Sequence, residues 1–223
     1  MHGNSKTLKI TDMSIKLGDV APNFVAETTV GKLDFHQFLG NDWGMLLSHP
    51  ADFTPVCTTE IGRTAQLKNE FEKRHVKVLV ISVDPLKEHH EWVRDINEVC
   101  ATEVDFPLIA DPERKVAELY DMIHPKASAT ATVRSVFIIA PDKTVKLTLT
   151  YPAAIGRNFS ELLRVIDALQ LSSKYGVSTP VDWQDGSDVI VANTISTEDA
   201  RKKFEKGVKE VKPYLRFTPQ PNK

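Results

Sequence analysis

The chain has 223 residues, 41% hydrophobic and 26% charged, with a formal net charge of -2, enough for one domain with an appended subdomain. Both charge signs are interspersed and the longest apolar runs, VLVIS and VFIIA, are short, which gives no reason to expect a nucleic-acid partner and excludes a helical membrane span. Two cysteines, and no apolar stretch after the polar start MHGNSKTLKI, exclude a disulfide framework and argue against secretion, so the expected location is cytoplasmic.

Apolar, β-rich runs alternate with helical segments, the pattern of an α/β domain with a partly parallel sheet. GMLLSHP predicts a buried strand. From Pro55 to about Arg74 the spacing predicts one helix, with Ile61, Ala65 and Phe71 near one face. VKVLVISVD is a second buried strand and LKEHHEWVRDINEV a second helix. FPLIAD and a short helix from about Pro112 to Tyr120 precede TVRSVFIIAPDKTVKLTLTYP, which reads as a hairpin turning at Pro141-Asp142-Lys143. Residues 158–170 predict one more amphipathic helix. Residues 1–170 form the expected main domain, and 171–223, punctuated by Pro180, Gly186, Pro213, Pro219 and Pro221, a smaller one. The basic stretch RKKFEKGVKEVK reads as a solvated helix face or linker.

One cysteine stands at the junction of the first strand and helix, in HPADFTPVCTTE. Thr54 suits an N-cap and Pro55 the first helical position, so Cys57 falls third, where unpaired amides and the helix dipole favour a thiolate. The same residues also fit a small buried hydrophobe behind an ordinary helix start. Dithiol exchange requires Cys-x-x-Cys, which is absent. Cys57 and Arg63 have the spacing of a cysteine phosphatase loop, but Glu60 would repel phosphate inside it, only Gly62 frees the backbone, and no histidine directly precedes the cysteine.

Pro50-x-x-x-Thr54-x-x-Cys57 resembles the active-site signature of the peroxiredoxins, and SHPADFTPVCTTE is similar to their one-cysteine branch. TVRSVFIIAPDK, YPAAIGRNF, TPVDWQDGSDVIVANTIS and YLRFTPQP extend the resemblance from LGDVAPNF almost to the C-terminus. The resemblance implies a thioredoxin-like α/β fold with an N-terminal extension and a small C-terminal domain that contributes to a homodimer. It implies a thiol peroxidase in antioxidant defence that reduces hydrogen peroxide and organic hydroperoxides without cofactor or metal. In that reading the Cys57 thiolate attacks the terminal peroxide oxygen and becomes a sulfenic acid. Arg134 and the Thr54 hydroxyl orient the peroxide, Pro50 covers the sulfur, and Glu60 and Arg157 hold Arg134; His49 matches a family histidine close to the cysteine, for which our own hypothesis is a hydrogen-bond partner or proton shuttle. A rival reading is a redox sensor or chaperone with little turnover.

Thiolate formation alone does not explain such a rate. Lowering a thiol pKa from about 8.5 to about 5.5 raises the thiolate fraction at neutral pH roughly 30-fold. A Brønsted coefficient of about 0.4 to 0.5 takes back roughly 20-fold in nucleophilicity. Fixed donors aimed at the O–O bond must supply most of the acceleration.

Cys100, at a helix end without a Thr-Pro cap, reads as an ordinary cysteine, and none follows it. The sulfenic acid then requires an external thiol such as glutathione or thioredoxin. Some one-cysteine members carry a lipase-like serine in a stretch matching GNDWG, but Asp42 occupies that position here. His36 and Asp142 therefore revert to a loop histidine and a turn aspartate, and no phospholipase activity is expected. His89 and His90 are adjacent on a helix and cannot pair as i, i+4 zinc ligands, so both read as surface residues.

Overall fold

The computed structural model describes residues 14–223; the opening MHGNSKTLKI lies outside them. The chain divides into two compact units, the first ending at Arg157 and the second spanning Asn158–Lys223.

The first unit is built on a seven-stranded sheet of order β2-β1-β5-β4-β3-β6-β7. Its strands are β1 (Val25–Thr28), β2 (Gly31–Asp34), β3 (Trp43–Ser48), β4 (Val76–Ser82), β5 (Leu108–Ala110), β6 (Arg134–Ile139) and β7 (Val145–Tyr151). β3, β4 and β5 run parallel, whereas β6 pairs antiparallel with β3 and with β7. Every residue of β3 and β6 is buried, as expected of central strands covered on both faces. Leu46, Leu79, Ile81, Phe137 and Ile139 pack with Phe35 and Tyr120 in one core. The N-terminal hairpin β1–β2 and the short helix α1 (Phe35–Leu39) have little patterning in the sequence, because their residues are mostly exposed or half-buried.

The helix expected over 55–74 is two, α2 (Pro55–Gln66) and α3 (Lys68–Glu72), joined at Leu67 with φ -93° and ψ 9°. In an unbroken helix Leu67 would lie about 240° around the axis from Ile61. The break lets Leu67 and Phe71 join Ile61 and Ala65 among the buried residues. α4 (Leu86–Cys100) buries His89, Trp92 and Ile96 and packs on α2. The next helix, α5 (Lys115–Leu119), starts later than expected, because Arg114 adopts φ 61° and the Asp111 carboxylate accepts the Ala117 amide at 2.7 Å.

The second unit contains α6 (Phe159–Tyr175), α7 (Thr197–Lys203) and an antiparallel sheet, β10-β11-β9-β8, of Lys209–Lys212, Leu215–Thr218, Val189–Val191 and Val177–Ser178. Its core gathers Leu171, Trp183, Val189, Val191, Ala200 and Phe204. The boundary expected after residue 170 falls instead before α6, which runs unbroken until Gly176 turns at φ 66°. The basic stretch forms the end of α7 and the exposed strand β10.

Where α2 meets α4, a Cβ on Gly62 would lie inside the contact radius of Cys100 Sγ and 2.7 Å from its Cβ. Gly62→Ala is expected to lower stability by about 1–3 kcal/mol through overpacking, and Cys100→Ala should recover part of it. Urea unfolding of the four chains of this cycle measures both effects. Additive losses would show that the two sites do not meet.

Candidate active site

The C-terminal end of β3 leads through residues 49–54 into α2, placing the N-terminus of α2 at the carboxyl edge of the parallel strands, where open α/β sheets form sites. Thr54 is the extended residue before the helix, Pro55 occupies its first turn, and Thr58 N–H donates to Thr54 O at 2.9 Å. The Thr54 hydroxyl does not cap the helix; it donates to Ala51 O at 2.9 Å across the tight turn in which Phe53 takes φ 53°. With its proton committed there, the hydroxyl leaves the Val56 and Cys57 amides without a side-chain cap, so they remain donors for an incoming oxygen. Cys57 is fully buried.

Antiparallel pairing of Leu47 with Val136 sets the start of β6 beside the end of β3. Ser48 fastens this seam: its hydroxyl donates to Val133 O at 2.6 Å and accepts Ser135 N–H at 2.9 Å. Arg134, the first residue of β6, thereby reaches the helix start 77 residues back, with Nη1 3.3 Å from Cys57 Sγ and 2.7 Å from Glu60 Oε2. Its Nε and Nη2 donate to Ala153 O at 3.0 and 2.6 Å, which fixes the plane of the fork. Arg157 grips the same carboxylate through its amide (2.7 Å), Nε (2.9 Å) and Nη2 (2.7 Å), and its Nη1 donates to Ser48 O and Ser135 O at 2.9 and 3.0 Å.

Glu60, Arg134 and Arg157 are 3%, 2% and 6% exposed, so their charges are compensated locally or not at all. Two guanidiniums against one carboxylate leave one positive charge, and a thiolate at Cys57 completes a neutral group. Cys57, Glu60, Arg134 and Arg157 are thus brought together, and Thr54 stands just before the helix with its hydroxyl on Ala51 O. Pro50 is half-buried in the connecting loop.

His49 is buried, and neither ring nitrogen has a hydrogen-bond partner among the described residues; it therefore makes no hydrogen bond to the sulfur. Its Nε2 lies 3.6 Å from Asp52 Oδ1, and its ring lies 5.0 Å from that of Trp92. Burial, then the electrostatic influence of His89 and the charges of Arg157 and Arg134, hold the His49 imidazole well below the usual histidine range, opposed by an approach to the Ala51 backbone short of hydrogen-bond geometry. His89 is not a surface residue. It is fully buried, with Nδ1 2.6 Å from Asp52 Oδ2 and Nε2 3.1 Å from Ile109 O. The sequence signal for this is the i, i+3, i+7 stripe of His89, Trp92 and Ile96. His90 is exposed. Asp52, which the sequence reading missed, lies inside the cysteine segment.

The remaining candidates have other partners. Arg63 is exposed and reaches Gln66. Asp42 pairs with Lys77 at 3.2 Å, His36 Nε2 lies 2.7 Å from Ala21 O, and Asp142 accepts from Thr144. Cys100 is half-buried with Sγ 3.8 Å from Thr58 O, and both cysteines are free. No group of three or more His, Cys, Asp or Glu among the described residues is placed to hold a metal, and no helix among them is long and apolar enough to cross a membrane.

Residues 17–148 match the AhpC/TSA family, and residues 168–207 match the C-terminal domain of 1-Cys peroxiredoxin. The chain is 53% identical to a 1-Cys peroxiredoxin of Dictyostelium discoideum over 94% of its own length and 87% of the relative's. It is 51% identical to human Peroxiredoxin-6 over 92% of its own length and 97% of that protein. A solved yeast mitochondrial 1-Cys peroxiredoxin, described as resolving its thiol via glutathione/thioredoxin systems, superposes with a TM-score of 0.87 at 50% identity, covering 92% of this chain and 99% of that one.

The depressed His49 pKa makes stability depend on pH. Because the unfolded chain takes up a proton at His49 near its ordinary value of 6.5 and the folded chain does so only at lower pH, the stability this residue contributes is full above 6.5 and falls as pH drops below it. At about 1.4 kcal/mol per pH unit for one proton, His49→Asn should remove about 1 kcal/mol of the loss between pH 7.5 and 5.5. Urea midpoints at the two pH values measure this; an unchanged acid loss would contradict it.

Proposed function

The chain belongs to the AhpC/TSA family, in its 1-Cys peroxiredoxin branch, and is a thiol peroxidase; from that premise we propose that Cys57 is the nucleophile and Arg134 its principal partner. The observation that carries this is the 3.3 Å approach of Arg134 Nη1 to a buried sulfur in the first turn of α2. One guanidinium N–H lies against the sulfur, while Glu60 and Ala153 hold the rest of the fork. A peroxide entering above Cys57 meets the Arg134 fork, the free lone pairs of the Thr54 hydroxyl and the open first-turn amides. These groups orient its terminal oxygen toward the sulfur and receive charge on the departing oxygen. Glu60 and Arg157 position Arg134, and Pro50 lines the loop above the helix start.

The thiolate attacks the terminal oxygen, an S–O bond forms as the O–O bond breaks, and Cys57 becomes a sulfenic acid while the peroxide leaves as alcohol or water. Cys100 is packed against Gly62 and Thr58, and no cysteine follows it. An external thiol therefore completes the cycle, and we carry over to this chain the glutathione and thioredoxin systems named for the yeast relative. We also propose a homodimer, after the family pattern, and a cytosolic location, where glutathione keeps such unpaired thiols reduced.

Steady peroxide consumption with glutathione or thioredoxin as donor, lost in Cys57→Ser, is the expected result. Arg134→Lys cannot hold Sγ, Glu60 and Ala153 together, and should slow sulfur oxidation about 100-fold, the scale of losing one preorganised donor. Stopped-flow oxidation followed by mass spectrometry of Cys57 measures both. Turnover surviving in Cys57→Ser, or a single oxidation per chain with no turnover, would overturn the assignment.

A further inference from the structure

Three buried titratable side chains stand in series beside the Cys57 network: His89, Asp52 and His49. His89 Nε2 lies 3.1 Å from Ile109 O, which only accepts, so this nitrogen carries a hydrogen. His89 Nδ1 lies 2.6 Å from Asp52 Oδ2, a contact that needs one further proton, on the imidazole or on the carboxyl. In either form the pair is neutral and holds one transferable proton.

The far side of the pair is unfinished. Asp52 Oδ1 and both nitrogens of His49 have no hydrogen-bond partner among the described residues, and Oδ1 and Nε2 stand 3.6 Å apart, a few tenths of an ångström beyond bonding length. Leaving buried polar atoms unpaired is costly, and the resting fold gives these three atoms no structural use.

We propose that Asp52 and His89 form a proton store for the peroxidase reaction, passing one proton through His49 to the oxygen that leaves the peroxide. This rests on the reading of Cys57 as nucleophile. When the thiolate attacks, sulfur loses two electrons and the peroxide gains two; the O–O electron pair departs as RO⁻, which needs one proton. His49 gives up a hydrogen from Nδ1 and receives one at Nε2 from Asp52, so it changes tautomer and stays neutral. The proton is the one the pair shares: it settles on the Asp52 carboxyl, which turns to present it to Nε2, and with His89 keeping only its Nε2 hydrogen the pair is left with one negative charge, on Asp52.

The charges balance at each stage. Before attack, Arg134, Arg157, Glu60 and the thiolate sum to zero, and so does the Asp52–His89 pair. Afterwards the sulfenic acid is neutral, and the negative charge that left sulfur resides on Asp52. A first thiol then displaces water to give a mixed disulfide. A second releases the Cys57 thiolate and one proton, which restores the pair.

The surroundings fit this direction. His49 is kept neutral by burial first, and it faces Arg134 from β6, Arg157 from the loop after β7, His89 from α4, and Asp52. Asp52 faces His89 and Glu88 from α4 and Asp84 from the end of β4, whose Oδ2 accepts the Asp52 amide at 3.0 Å. Burial first, then the Asp84 and Glu88 charges, favour a proton on Asp52, against the opposing pull of His89. In this scheme Asp52 and His89 act through His49, as positioning residues.

The test compares two peroxides. tert-Butyl hydroperoxide expels a basic alkoxide that needs a proton, whereas peracetic acid expels acetate, which does not. Stopped-flow oxidation of Asp52→Asn and His89→Asn should be at least tenfold slower than wild type with tert-butyl hydroperoxide and within twofold with peracetic acid. In wild type, heavy water should slow only the first reaction, about twofold. Equal losses with both peroxides would mark a structural role and overturn the proposal, as would no loss with either. A wild-type solvent isotope effect that is the same for both peroxides also overturns it, and needs no variant to fold. Wild type inert toward both would instead overturn the peroxidase reading.

Discussion

A single carboxylate, Glu60, joins the three segments that make the site. It accepts Arg134 Nη1 and the amide, Nε and Nη2 of Arg157, so α2, β6 and the loop after β7 meet on its two oxygens. Desolvating these three charges is expensive, and removing one partner of such a group typically costs about 3–5 kcal/mol. The arrangement therefore persists only as a whole. Its one uncancelled positive charge is what the sulfur, one helical turn before Glu60, is placed to neutralise.

This explains how labour is divided at the helix start. The open amides of α2 and the arginine fork both favour an anion, but a more stable thiolate is also a weaker nucleophile, and the two effects nearly cancel. What remains is orientation. Ala153 O and Glu60 fix the Arg134 fork, so in the role proposed for it no reorganisation is required as charge moves onto the departing oxygen. The Thr54 hydroxyl, bonded to Ala51 O rather than capping the helix, leaves the first-turn amides available.

Much of this was legible in the sequence, for definite reasons. β3, β4 and β6 announce themselves because central strands are continuous apolar runs, the edge strand β7 follows from the turn at Pro141-Asp142-Lys143, and Thr54-Pro55 marks the helix start. Patterning did not reveal the break at Leu67, which depends on where the core lies relative to the helix axis. It also misjudged His89. Asking whether adjacent histidines could share a metal addressed only their relation to each other, whereas burial was decided by the stripe with Trp92 and Ile96. Asp52 was hidden for a related reason: its partner lies 37 residues away on α4, and no local pattern carries that distance.

α4 is consequently more than a cover for the sheet. It meets α2 so closely that Gly62 and Cys100 leave no room for a methyl group between them, and Trp92 Nε1 donates to the Thr58 hydroxyl at 3.2 Å, one residue beyond Cys57. The same helix presents His89 to Asp52 and lays Trp92 against the His49 ring. The cysteine-bearing helix and the loop that precedes it are thus both registered against α4. The arginine fork comes from β6, which Ser48 ties to β3, and Glu60 on α2 accepts it one turn from Cys57, so the β3–β6 seam and Glu60 together set the distance from guanidinium to sulfur.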